Sequence, residues 1–248
     1  MNEDDPITII TPVFNRKEFL ELMITNIENF EYDKKMMDWI ILDSDGEKGD
    51  KATPLLDLLE LENIKKRIAP ISISYTFVKK AMSIGEKRNW LCKKAKTKYI
   101  ICMDSDDIYC PEYLRYSTDV LKNTKKECCG SPEMLFMYPY DDYATTFIRC
   151  EALRQIHEAT MCFTKKHFKR MGGFSTKGWG EGAKMIDGCN PNLFVKTHVS
   201  SCMICLCHKN NTAPKEKFLK DDIKVNVDIK LPTHMKVVRA MFNEHKEN

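Results

Sequence analysis

Four short, mainly apolar runs occur in the first half of the chain: ITIITPVF, DWIILDSDG, ISISYTFV and YIICM. Runs of this kind, rich in β-branched residues and bounded by polar or turn-forming positions, are typical of buried strands. Leu20, Met23, Ile24 and Ile27 recur at helical spacing after the first run, and a charged helical segment opens at Gly85. The alternation predicts an α/β fold in one domain, with a mostly parallel central sheet and helices on both faces.

Two local signals set the expected helix starts. Asn15, with Glu18 three residues later, is expected to cap the first helix. Pro111 suits the first turn of the helix after the fourth strand, whose inward residues include Tyr113 and Leu114. These signals place polar connections directly after the first and fourth strands.

Polar side chains follow three of the predicted strands, over Thr11 to Asn15, Asp43 to Asp45 and Asp104 to Asp107. The carboxyl ends of parallel strands lie at one edge of a sheet, and open α/β sheets bind ligands there. We therefore expect these three segments to converge on one binding site.

The second half of the chain is less regular. MLFMYPYDDY and EATMCFTKKHF are predicted strands, the second turning into a short helix that stops at Gly172 and Gly173. STKGWGEGAKMIDG indicates a loop that leads into a helix. Beyond residue 208 the chain is polar and lysine-rich, and its tail HMKVVRAMF is either a docked amphipathic helix or frayed.

Composition restricts the class of protein without naming a partner. Apolar residues make up 43% and charged residues 30% of the 248 positions, the balance of a soluble globular protein. The net charge of +3 gives no argument for nucleic acid. MNEDDPITII lacks the features of a signal peptide, and the apolar runs are too short to span a bilayer. We therefore expect a cytoplasmic protein with at most peripheral membrane contact through its lysine-rich segments.

The cysteines predict a reducing compartment. There are eleven, an odd number scattered through the sequence, which is typical of free thiols. CMICLCH leaves a structural zinc site open, but only Cys128 and Cys129 offer a second cluster. A buried strand that uses cysteine as a small hydrophobic residue is favoured.

Three carboxylates, Asp104, Asp106 and Asp107, lie within four positions directly after the YIICM run. Carboxylate oxygens are the ligands that Mg²⁺ and Mn²⁺ prefer, and a rigid strand end holds them in place. A metal held there stabilises negative charge on a leaving diphosphate. The alternative is that these acids cap the following helix.

The segments TPVFNR, WIILDSDG, IGEKRNWLCKKAKTKYIICMDSDDIYCPEYL and FKRMGGFSTKGWGEG resemble, in order, the family 2 glycosyltransferases of the GT-A fold. The resemblance covers residues 7 to 185. It implies inverting transfer of a sugar from a UDP- or GDP-sugar to a glycan or other hydroxyl acceptor, with Mn²⁺ or Mg²⁺. It further implies a hexosyltransferase of glycan biosynthesis whose single domain, 1–248, comprises a nucleotide-binding half (1–110), an acceptor-binding half (111–207) and a polar C-terminal segment and helix (208–248).

The resemblance also implies roles for individual residues. The residues matched to the nucleotide-sugar site are Thr11, Pro12, Val13, Arg16, Asp43, Arg88, Asp104 and Ser105. Those matched to the metal are Asp104, Asp106 and His208, with His198 and His234 as other candidates for the histidine. Asp107 is implied to support the metal from outside its ligand shell or to cap the next helix.

The catalytic base departs from the family pattern. Family members carry a Glu-Asp pair after the GGF turn, whereas this chain has Glu181 followed by Gly182. We expect Glu181 to be the base and Asp187 to be the second choice; a helix-capping role for Glu181 stays open. Trp179 is expected to stack on the acceptor sugar, or else to anchor its loop.

Two other functions are compatible with the sequence. A non-catalytic nucleotide-sugar or glycan-binding protein on the same fold is favoured by Gly182 alone. A phosphatase of the haloacid dehalogenase type also places Asp-x-Asp after a strand, but it needs Thr or Val after the second aspartate, and this chain has Asp107.

Overall fold

The computed structural model describes residues 4–150, 155–177, 180–188, 190–211 and 214–243. The strands are β1 (Ile7–Val13), β2 (Met37–Ser44), β3 (Ser72–Val78), β4 (Tyr99–Cys102), β5 (Ile108–Tyr109), β6 (Cys128–Gly130), β7 (Glu133–Tyr138), β8 (Ala144–Arg149), β9 (Cys162–Thr164), β10 (Phe194–Lys196), β11 (Met203–Leu206) and β12 (Lys224–Val225). The α-helices are α1 (Leu20–Asn29), α2 (Leu58–Ile68), α3 (Ile84–Lys94), α4 (Tyr113–Thr124), α5 (Lys165–Met171) and α6 (Pro232–Asn243).

The larger sheet has seven strands in the order β10-β6-β9-β4-β1-β2-β3. β1 lies between β4 and β2 and is parallel to both, and β3 extends the parallel set beyond β2. β9 is antiparallel to β4 and to β6. The predicted α/β fold with a mostly parallel sheet is therefore confirmed, and the carboxyl ends of β1, β2 and β4 lie at one edge.

Alternate residues of the central strands face two separate apolar layers. Ile9 and Ile101 pack on the side that carries α1, α2 and α4, whereas Ile10 and Ile100 pack on the side of α3 and α5. All four side chains are fully buried. Helices thus cover both faces of the sheet, as the continuous apolar runs predicted.

A second sheet of five strands, in the order β12-β8-β7-β11-β5, was not expected from the sequence. Its two-residue strand β5 pairs antiparallel with β11 directly after the acidic cluster. The CMICLCH segment supplies β11, whose residues are all buried, in agreement with the favoured interpretation of that segment. The described cysteines are free thiols.

Two terminal features complete the fold. α6 docks on α1 and buries Met235, Val238 and Phe242, so the tail is the docked helix of the two alternatives. The predicted Asn15 cap is wrong: Asn15 has a left-handed φ of 48°, and a 3₁₀ turn over Lys17–Phe19 precedes α1. Within the described residues, no helix combines the length and the apolar character that crossing a membrane requires.

Candidate active site

The guanidinium of Arg88, on α3, lies between two carboxylates. Its Nη2 donates to Oδ1 of Asp104 at 2.6 Å, and Nη1 forms an ion pair with Glu181. Arg88 is only 1% exposed. Burial lowers its pKa, but Asp104 and other acidic neighbours outweigh that effect and raise it. Arg88 therefore stays charged and fixes the positions of both acids.

The first turn of α3 explains the order Gly85-x-x-Arg88-Asn89 in the sequence. A Cβ at Gly85 would overlap the carbonyl oxygen of Ser175, so only glycine lets this loop approach the helix. Asn89 then holds the loop through two hydrogen bonds with the backbone of Phe174, of 2.8 and 2.9 Å. The helix thereby carries the loop that contains Glu181.

Two side chains, an arginine and a histidine, contact the carboxylate of Asp106. Arg16 Nε donates to its Oδ2 at 3.2 Å, and Nε2 of His208 lies 3.1 Å from the same oxygen. Burial raises the pKa of Asp106, but the hydrogen bond from His208 and the charge of Arg16 prevail and lower it. Asp106 is therefore a carboxylate at neutral pH.

The resemblance implies a divalent metal, and the donors present fit one in part. The carboxylate of Asp106 and the imidazole of His208 are an oxygen and a nitrogen ligand of the type Mn²⁺ accepts. Asp104, the third predicted ligand, is turned toward Arg88. In the described ranges no group of three or more His, Cys, Asp or Glu is arranged around a single cation position.

The other candidate histidines lie elsewhere. His198 Nδ1 is 3.7 Å from Glu133, and its side chain is 75% exposed. His234 is buried on α6, where desolvation lowers its pKa to about 4. His208 is thus the candidate that the fold brings to the acidic cluster.

Asp107 has a structural position. Its Oδ1 accepts a hydrogen bond from the backbone N–H of Leu206 at 2.9 Å, and its carbonyl accepts one from Asn26 at 2.9 Å. Burial, assisted by the charges of Asp106 and Asp104, raises the pKa of Asp107 to about 7. The residue joins β11 to the strand end and does not cap α4, which begins at Tyr113.

A second group of charges lies at the ends of β1 and β2. Asp43 is fully buried, and its Oδ2 accepts hydrogen bonds from Leu55 N at 2.9 Å and the Tyr75 hydroxyl at 3.0 Å. Its Oδ1 has no partner among the described residues, so an acceptor is left for a ligand. Burial raises the pKa of Asp43.

Lys87 was not singled out by the sequence, yet it lies at the junction of these strands. Its Nζ donates to the carbonyl of Val13 at 2.6 Å, and the residue is 4% exposed. Burial lowers its pKa to about 8, although nearby Asp43 opposes this shift. Lys87 therefore adds a second buried cation beside Arg88.

The remaining predicted site residues differ in how exposed they are to solvent. Thr11 is buried, and its hydroxyl accepts the indole N–H of Trp39 at 3.0 Å, so its side chain serves the core. Pro12 and Ser105 are also buried. Asp187 is exposed. Trp179 lies outside the described residues.

Comparison with solved structures identifies the fold. A mannosyltransferase, PcManGT from Pyrobaculum calidifontis, in complex with GDP-Man and Mn²⁺, superposes with a TM-score of 0.62 at 13% identity over 83% of this chain. S. aureus TarS 1–349 in complex with UDP gives a TM-score of 0.61 at 12% identity over 98% of the chain, and its complex with UDP-GlcNAc gives 0.58. The fold is that of the GT-A glycosyltransferases.

The chain spans 58% of the PcManGT chain and 72% of the TarS chain. The sequence model of glycosyl transferase family 2 matches residues 8–168. The protein belongs to that family. A search of curated proteins gives no significant match.

Proposed function

We propose that this protein transfers a sugar from a UDP- or GDP-sugar to the hydroxyl of a glycan or other acceptor, with metal assistance and with inversion at the anomeric carbon. The observation that carries the proposal is that charged side chains connect the carboxyl ends of β1 and β4 to α3, with Asp43 at the end of β2 near Lys87. Arg16 joins the end of β1 to Asp106, Lys87 joins α3 to Val13, and Arg88 joins α3 to Asp104.

This arrangement suits a nucleoside diphosphate. Arg16, Lys87 and Arg88 supply positive charge for phosphate oxygens. The unpartnered Oδ1 of Asp43 suits an N–H donor of the base or a ribose hydroxyl. The structural neighbours bind GDP-Man, UDP or UDP-GlcNAc, which supports both base types as candidates.

Asp106 and His208 are the proposed metal ligands, with Asp104 as a third after release from Arg88. A bound Mn²⁺ or Mg²⁺ supplies Lewis-acid stabilisation of the leaving diphosphate. The residues of this chain hold the phosphates, keep Asp106 ionised and orient the donor against the loop of Glu181. Glu181 and Asp187 remain the sequence-based candidates for the base.

Thermal unfolding with UDP, GDP, UDP-GlcNAc and GDP-mannose, each with and without Mn²⁺, tests the donor site. A ligand at one hundred times its Kd stabilises the fold by about 2.7 kcal/mol. A metal-dependent increase in Tm with one nucleotide is the expected result, and no increase with any of them contradicts the proposal.

A non-catalytic binding protein is the second candidate, and Gly182 is the observation that favours it. Release of UDP or GDP from the stabilising nucleotide sugar distinguishes the two functions. A binding protein gains stability with the ligand but releases no nucleotide.

A further inference from the structure

The space beside Gly182 is filled by the side chain of Glu158. A Cβ built on Gly182 would overlap Cγ of Glu158 and lie 3.1 Å from its Cδ and from its Oε1. The backbone N–H of Gly182 donates to the same Oε1 at 3.1 Å. The carboxyl group of Glu158 therefore lies where a side chain at position 182 would lie.

Glu158 is fixed to the site end of β4. It opens a 3₁₀ turn over Glu158–Thr160, and the carbonyl of Ala159 accepts hydrogen bonds from the hydroxyls of Tyr109 and Tyr113, both at 3.2 Å. The Tyr109 hydroxyl in turn accepts the backbone N–H of Asp104 at 2.7 Å. The hydroxyl oxygen of Tyr109 thus links the turn of Glu158 to the acidic cluster.

Glu158 and Glu181 differ in their partners. Glu181 is 6% exposed and is ion-paired with the buried Arg88. Oε1 of Glu181 is therefore already occupied by a guanidinium. Glu158 is half-buried, and its charge helps to raise the pKa of Arg88, but among the described residues no cationic side chain forms a direct ion pair with it.

The geometry points to Glu158 as the general base of the transfer, in place of a side chain at position 182, with Glu181 acting to position Arg88. This assignment rests on the proposed glycosyltransferase function. The Glu158 carboxylate takes the proton of the acceptor hydroxyl while that oxygen bonds to the anomeric carbon of the donor sugar. The bond from this carbon to the diphosphate oxygen breaks, and its electron pair leaves with the nucleoside diphosphate.

A stability cycle tests the geometry without any ligand. Gly182→Ala is expected to lower Tm by about 4 °C or more in the wild-type background, because the new Cβ meets Glu158. In a Glu158→Ala background the same substitution is expected to change Tm very little. An equal decrease in both backgrounds overturns the placement of Glu158.

Turnover of the full chain tests the catalytic role. UDP and GDP release is measured from UDP-GlcNAc and GDP-mannose with Mn²⁺, with water and simple sugar glycosides as acceptors. Glu158→Gln is expected to lower kcat about a hundredfold or more, while UDP or GDP still raises Tm as in the wild type. Glu181→Gln is expected to raise KM for the donor, and Glu216→Gln, an exposed substitution, to change neither quantity.

The decisive variant removes the carboxylate of Glu158 and supplies one from position 182 instead. Glu158→Ala combined with Gly182→Asp is expected to recover at least about tenfold over Glu158→Ala alone, whereas Gly182→Asn in the same background recovers nothing. Wild-type kcat in Glu158→Gln overturns the proposal. Loss of kcat in Glu181→Gln with unchanged nucleotide binding assigns the base to Glu181 instead.

The failure of the proposed function itself has a separate signature. If the wild-type protein releases no nucleotide from either donor, both the proposed transfer and the catalytic role of Glu158 are contradicted. The stability cycle at Gly182 still decides whether Glu158 occupies the position, since it needs no donor.

Discussion

Nε2 of His208 lies 3.1 Å from Oδ2 of Asp106, although the two residues are 102 positions apart in the chain. Asp106 follows β4 of the larger sheet, and His208 follows β11 of the smaller one. The contact therefore forms only when the two sheets are assembled. It also places an imidazole, a common metal ligand, beside the carboxylate that is proposed to hold the metal.

Replacing His208 tests the metal assignment. His208→Ala is expected to lower the affinity for Mn²⁺ by about tenfold or more, because one of two adjacent ligands is lost. The affinity is measured by Mn²⁺ titration with electron paramagnetic resonance, and EDTA should abolish the metal-dependent increase in Tm with nucleotide. His198→Ala, at an exposed position, is the matched control. Unchanged Mn²⁺ affinity in His208→Ala excludes His208 as a ligand.

Arg88→Met is expected to destabilise the fold by about 3 kcal/mol or more, since it leaves Asp104 and Glu181 without their buried counter-charge. Urea unfolding at pH 7 measures the change. Arg67→Met removes an exposed arginine that pairs with Glu21, and it is expected to cost about 1 kcal/mol or less. Equal losses in the two variants contradict a structural role for the Arg88 pairs.

The sequence predicted the parts of the site that depend on local patterns. The strands that end near Asp43 and Asp104 are continuous apolar runs, and their parallel pairing follows from the alternation with helices. The Arg-Asn pair at the start of α3 also stands in a recognisable order, and the structure adds that Asn89 clamps the loop at Phe174.

What the sequence did not predict depends on contacts between distant segments. β5 has two residues and no periodicity, and it exists because β11 pairs with it. Lys87 is one of several lysines in a charged helix, and only its burial beside Val13 distinguishes it. No local sequence pattern marks Glu158 as a site residue. Its role is recognised only from the structure, where its side chain fills the space beside Gly182.

The pKa of Lys87 predicts a pH dependence of stability. Burial lowers this pKa to about 8, below the 10.5 of an ordinary lysine. Between these values the folded protein holds the neutral amine while the unfolded chain still binds a proton, so stability rises with pH. The wild type is expected to gain about 3 kcal/mol relative to Lys87→Met between pH 7.5 and 10.5.

Urea unfolding of both proteins at several pH values in this range measures that difference. Lys93→Met, at an exposed position of the same helix, controls for the loss of one positive charge. A difference between wild type and Lys87→Met that stays constant across the range contradicts a buried, easily neutralised Lys87.

Gly85→Ala tests whether α3 carries the loop of Glu181. Alanine normally stabilises a helix interior relative to glycine by about 1 kcal/mol. Here its Cβ would overlap the carbonyl oxygen of Ser175 and lie 3.3 Å from Cβ of Glu181, so the substitution is expected to destabilise by about 1–3 kcal/mol. Urea unfolding measures the change, and nucleotide release should fall as well because the loop is displaced. Ile84→Ala, at the neighbouring and 38% exposed position, is the control. A net stabilisation by Gly85→Ala would show that the loop does not pack against the first turn of α3.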